Sequence, residues 1–210
     1  MSRAFAVALI ALAFPTATQA ATLTTDRQCY VDADGQVMNV TGADFAAGAA
    51  WAVNGAGIDE AGTTDGAGAF GFNTAVPTIG GGIKPRQFTI SATQDGAPAA
   101  DTTFKVVNFL AMPASIQGRP TSSTSWGFSG FTPAKPIFVH VRRSGKVYTE
   151  KAGKGDRVCG TLQTRMRRLP AVPPDRIGYG KYQVYVDNRR KFRRGGLQYF
   201  ATITIFRRSN

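Results

Sequence analysis

The 210-residue chain holds one histidine, two cysteines and 13 acidic residues, and it has no long apolar run. A single imidazole excludes any chemistry that needs two, and two lone cysteines build no zinc site without more His or Cys ligands. The longest unbroken apolar stretch, Ala4 to Phe14, falls well short of the roughly 20 residues a membrane-spanning helix needs. No segment of helical length carries an apolar stripe of 3.6-residue period. Charged residues make up 18% of the chain against 43% hydrophobic and 10% aromatic, which excludes a disordered polymer and allows a packed core.

Motifs that would carry chemistry are also missing. Gly127-Phe128-Ser129-Gly130 lacks the strand–turn–helix setting of a nucleophile elbow. Gly80-Gly81-Gly82 is followed by no Lys-Ser/Thr pair and so is a loop rather than a phosphate cradle. Asp32-Ala33-Asp34-Gly35 begins like a calcium loop, but Ala43 stands where the closing glutamate belongs, and Asp34-Gly35 reads as a hairpin turn. The acid pairs Asp32/Asp34 and Asp59/Glu60 read as turn acids. His140, the one available base, alternates outward between Phe138 and Arg142 and reads as a sheet-surface residue beside cations. No cofactor, metal or catalytic residue is expected.

What is present begins with an export pattern over residues 1–20. Arg3 supplies a positive start, Ala4 to Phe14 an apolar segment and Pro15 a helix break, and Thr18-Gln19-Ala20 offers small residues for cleavage. The expected destination is outside the cytoplasm, secreted or at the cell surface, with no transmembrane segment in the mature chain. In that setting Cys29 and Cys159 are expected to pair, two free or intermolecular thiols being the alternative. The chain-entropy estimate for closing so long a loop is about 4–5 kcal/mol.

Charge divides the chain sharply. Residues 22–110 carry four cations and nine anions, a net of −5, whereas residues 111–210 carry 20 cations and four anions, a net of +16. Composition changes with it, from Gly and Ala to Arg, Tyr and Pro, so a domain boundary is placed at Ala111–Ala114. Both halves alternate with period two between Gly, Asp and Pro turns. In the first half Val37/Asn39 alternate against Met38/Val40, and Trp51/Val53, Phe70/Phe72, Phe88/Ile90 and Phe104/Val106 each share one face. In the second the inward sets are Ile137/Val139/Val141, Leu162/Thr164/Met166, Tyr182/Val184/Val186 and Tyr199/Ala201/Ile203/Ile205. Two tandem immunoglobulin-like antiparallel β-sandwiches are predicted, an all-β fold over 22–110 and 111–210.

Gly42-Ala43-Asp44-Phe45-Ala46-Ala47-Gly48, followed by Thr64-Asp65-Gly66-Ala67-Gly68-Ala69-Phe70, resembles the repeat of bacterial extracellular Ig-like modules. Those modules show a G-x-G-F-x-P-G turn and then T-D-x-x-G-x-F; here Asp44 replaces the second glycine and Ala47 the proline. The second half, with Gly145-Lys146 and Cys159-Gly160-Thr161-Leu162, is similar to C-terminal domains of secreted actinobacterial proteins. The resemblance implies a sandwich fold, an extracellular home and a role as spacer or binding platform, with no catalytic residues to carry over.

Three cation clusters stand out as candidate anion- or partner-binding residues: Arg142 and Arg143; Arg165, Arg167 and Arg168; and Arg189, Arg190, Arg193 and Arg194. Lys181 and Tyr185 join them on an outward face that mixes rings with cations, which suits an anionic cell-wall polymer or an acidic protein surface. Nucleic acid is not expected as a physiological partner of an exported protein. The alternatives are a basic surface that is merely solvated or an aromatic face docked on the acidic first half, and a purely structural extracellular spacer with no specific ligand.

Overall fold

In the computed structural model, which describes residues 20–195 and 198–206, every regular element is a strand apart from one 3-10 turn at Pro174–Arg176. The expected export segment lies outside the described residues up to Thr18-Gln19, and only Ala20 is reached.

The first sandwich packs β1 (Thr22–Thr25), β3 (Val37–Ala43) and β6 (Phe70–Ala75) against a five-stranded sheet. That sheet runs β2 (Cys29–Asp32), β8 (Ala97–Asn108), β7 (Arg86–Gln94), β4 (Ala50–Gly55), β5 (Ile58–Thr63). The second packs β9 (Leu110–Pro113), β10 (Ser123–Ser129) and β13 (Leu162–Arg167) against a four-stranded sheet. The order there is β12 (Lys146–Lys154), β11 (Pro136–Arg143), β14 (Gly180–Asp187), β15 (Tyr199–Ile205). Replacing β1, β3, β4, β5, β6, β7 and β8 by β9 to β15 in turn converts one topology into the other, so the same sandwich is built twice. One feature departs from the all-antiparallel expectation: β2 pairs with β8 in parallel, because the first strand of the chain crosses from one sheet to the far edge of the other.

Period-two alternation decides what is buried. Met38, Val40, Val53, Ile90, Phe104 and Val106 are buried in the first core, where Trp51 stacks on Phe70 with ring centroids 4.2 Å apart. Gly42 lies under the Phe70 ring, where any Cβ would collide with it. The two halves of the Ig-like motif meet in space: the buried Thr64 hydroxyl donates to Ala46 O at 2.6 Å and accepts from Ala49 N at 3.0 Å. Trp126 and Phe128 fill the second core against Val139, Val141, Tyr182 and Val184, with the Trp126 indole donating to Arg167 O at 3.0 Å.

The lobes meet through the Cys29–Cys159 disulfide, which spans 130 residues of sequence as expected, and through Ile83, whose side chain lies where a Cβ on Gly127 would be. Close to Cys29, the Tyr30 hydroxyl donates to Asp26 Oδ1 at 2.7 Å and accepts from Arg27 N at 3.1 Å. Burial, reinforced by the Asp26 bond, pushes the Tyr30 pKa up to about 12. Between the ordinary tyrosine value near 10 and about 12 the folded chain therefore holds a proton that the unfolded chain has lost. Stability must fall across that window. Denaturant titrations from pH 9 to 12 should show this loss, on the order of 2 kcal/mol, and Tyr30→Phe should flatten it; equal slopes in both proteins would refute the assignment.

Candidate functional site

The outward face of the four-stranded sheet is ordered in rows by its register. Thr149, His140, Tyr185 and Phe200 stand directly opposite one another on β12, β11, β14 and β15. The next row is Val147, Arg142, Gln183 and Thr202. Because facing residues on neighbouring strands are close enough to touch, each row is a line of contacts. The Tyr185 and Phe200 rings lie 4.9 Å apart, and Phe192, from the loop after β14, lies 4.9 Å from Tyr185 on its other side. Phe200 is 52% exposed. In the polar row Gln183 Oε1 accepts from Arg142 Nη1 and from the Tyr185 hydroxyl, both at 3.4 Å.

The loop over this face is held by one buried carboxylate. Asp187 Oδ1 accepts from Arg189 N at 2.7 Å, and Oδ2 accepts from Arg189 Nε at 2.9 Å and Gln198 Nε2 at 3.1 Å. Arg189 Nη2 reaches the same Oδ2 at 2.8 Å and donates onward to the carbonyls of Arg193 and Gly195. His140 Nε2 faces Asp187 Oδ1 at 3.3 Å and Arg189 O at 3.0 Å, while Nδ1 meets the Thr149 hydroxyl at 2.8 Å. Two acceptors at Nε2 place a proton there.

This corrects the expectation for His140. It does point outward from the sheet, but the returning loop and the Phe192 ring cover it, and it is fully buried. Hydroxyl, imidazole and carboxylate stand in the order of a hydrolase triad, yet the imidazole has no exposed surface for a substrate to approach. The network works as a pin for the loop. Sequence reading missed Asp187 because it ends a strand among cations and looks like one more solvated acid.

The candidate cations are not brought together. Arg142 and Lys181 lie on the ring-bearing face, and Arg190, Lys191, Arg193 and Arg194 are exposed on the pinned loop beside it. Arg165 and Arg167 belong to β13 in the other sheet, and Arg167 approaches Glu150 at 4.0 Å. Three candidates are drawn into the molecule instead. Arg143 lies 4.7 Å over the Tyr182 ring, bonds its hydroxyl, and donates to Tyr179 O at 2.7 Å, capping one end of the core. Arg168 bonds the Ser122 hydroxyl and rests against Gly118, and Arg189 is spent on Asp187. The expected alternative of an aromatic face docked on the first lobe does not hold, since Phe200 and Phe206 are exposed.

Among the described residues no group of three or more His, Cys, Asp or Glu could hold a metal ion, and no helix is long and apolar enough to cross a membrane.

No family model matches the chain, and no curated protein does. Among solved structures it is similar to a chain of a 1.5-MDa bacterial ice-binding adhesin studied for host cell surface retention, with 13% identity and TM-score 0.35 over 87% of this chain and 62% of that one. A calcium-stabilised, ice-binding adhesin of an Antarctic bacterium gives 14% identity and TM-score 0.31 over 88% of this chain and 48% of that one. A two-domain fibronectin type III segment of chicken tenascin gives 13% and 0.27 over 87% of this chain and 97% of that one. The chain spans about half to two thirds of the two adhesin chains it matches.

Proposed function

We propose that the protein is an exported, non-enzymatic binding module related to bacterial Ig-like modules, whose basic second sandwich associates with an anionic polymer of the cell envelope or an acidic partner surface. One observation carries this reading. The loop after β14 is fixed by a buried carboxylate, and it presents Arg190, Lys191, Arg193 and Arg194 to solvent from one side of a ring-bearing sheet. Fixing the loop lowers the ordering cost that flexible cations would meet on binding. Guanidinium groups, three of the four here, favour forked contacts with phosphate, sulfate or carboxylate. The disulfide and the net +16 of residues 111–210 fit an oxidising compartment and an anionic partner.

The full chain should bind a heparin column at low salt, and replacing Arg190, Lys191, Arg193 and Arg194 together by Ala should move elution to markedly lower salt. Unchanged elution would reduce the protein to a spacer, and no retention of the parent protein at about 50 mM salt would end the reading.

A further inference from the structure

The cationic loop accounts for attraction to any polyanion, but it leaves the ring-bearing row beside it unused. Tyr185 and Phe200 lie 4.9 Å apart on the sheet with their planes tilted by 41°, Phe200 half-exposed and Tyr185 partly buried. Immediately next to them stand a guanidinium, a carboxamide and a hydroxyl: Arg142, Gln183 and Thr202, in register across three strands. Gln183 Oε1 is already taken by Arg142 and Tyr185, so its amide N–H groups, without a partner among the described residues, are left to donate outward. A surface with an exposed ring and a few polar groups along its edge selects a ligand of the same two-sided kind.

We propose that this face binds the uronate residues of an acidic polysaccharide, a deepening that rests on the polyanion reading above. The C–H face of a pyranose ring is weakly positive and lies on the electron-rich face of the exposed Phe200, which Tyr185 backs. Its carboxylate meets the Arg142 fork, and its hydroxyls meet the Gln183 amide and the Thr202 hydroxyl. The next acids along the polymer then fall to the loop cations. Polyphosphate, which has no ring to stack and no hydroxyl to donate, would use the loop alone.

The test compares polygalacturonate, inorganic polyphosphate and single-stranded DNA on the full chain at matched salt, by calorimetry. Phe200→Ala, which loses a stacking contact, and Gln183→Ala, which loses a hydrogen-bond donor, should each weaken polygalacturonate binding by about tenfold and leave polyphosphate binding within about twofold. Melting curves of both variants control for folding. Equal losses for both polymers, or no loss for either, would overturn the proposal. Binding of polyphosphate without polygalacturonate by the parent protein would overturn it while leaving the polyanion reading intact. Binding of neither would remove both. Preferential binding of DNA with the same Phe200 dependence would reassign the face to nucleotide bases.

Discussion

Asp187→Ala should be among the most damaging single changes in the second sandwich, costing about 3–5 kcal/mol in chemical denaturation and releasing the basic loop. The carboxylate is 1% exposed and accepts from His140, Arg189 and Gln198, so removing it orphans several donors at once. Arg189 Nη2 loses its anchor, and with it the bonds to Arg193 O and Gly195 O that shape the loop. His140→Ala leaves Asp187 with the Arg189 and Gln198 bonds, so it should cost less, and the two changes together should cost less than their sum because they break one network. Heparin elution of Asp187→Ala should shift to lower salt although every loop cation is still present. Additive costs, or an elution position equal to the parent's, would show that the carboxylate and imidazole do not act as one pin.

How much of this was legible beforehand follows from the range over which each cause acts. Inward faces such as Ile137/Val139/Val141 and Tyr182/Val184/Val186 are read from period two alone, because pleating fixes them within the strand. His140 obeys the same rule and does leave the sheet outward. What buries it is a segment some fifty residues later folding back over it, which no local pattern reports. Arg143 was misread for the opposite reason. Its parity points inward, and at a strand end that inward position lets the guanidinium close the core over Tyr182 rather than face a ligand. The short strands β1, β2 and β9, of four residues each, are too brief for alternation to show, so the parallel edge formed by β2 was also invisible. The ring-and-cation mixture was legible as a composition. Its division between a loop, a sheet face and the opposite sheet was not, because that depends on strand order.

Replacing Cys29 and Cys159 by Ser should leave both sandwiches folded but lower the midpoint of their unfolding. The buried clusters of the two lobes share no residue, so each core keeps its own packing when the bond is gone. Between β8 and β9 only Phe109 intervenes, and Ile83 against Gly127 supplies a small further contact. On the side of Cys159 the loop stays shaped, since Asp156 accepts from the backbone N–H of Val158 and Cys159 at 2.7 Å and from Thr161. Burial raises the Asp156 pKa, but those bonds outweigh it and hold the carboxyl below its ordinary value, so this support persists down to pH values below 3.8. The full chain-entropy gain of about 4–5 kcal/mol applies only when both lobes are unfolded, because a folded lobe already fixes part of the loop. Part of that gain is therefore lost at the step that unfolds the first lobe and the rest at the step that unfolds the second, so unfolding should move to lower denaturant throughout. A single transition with an unchanged midpoint would mean that the Ile83–Gly127 contact and the short connection already couple the sandwiches, with the disulfide adding nothing to them.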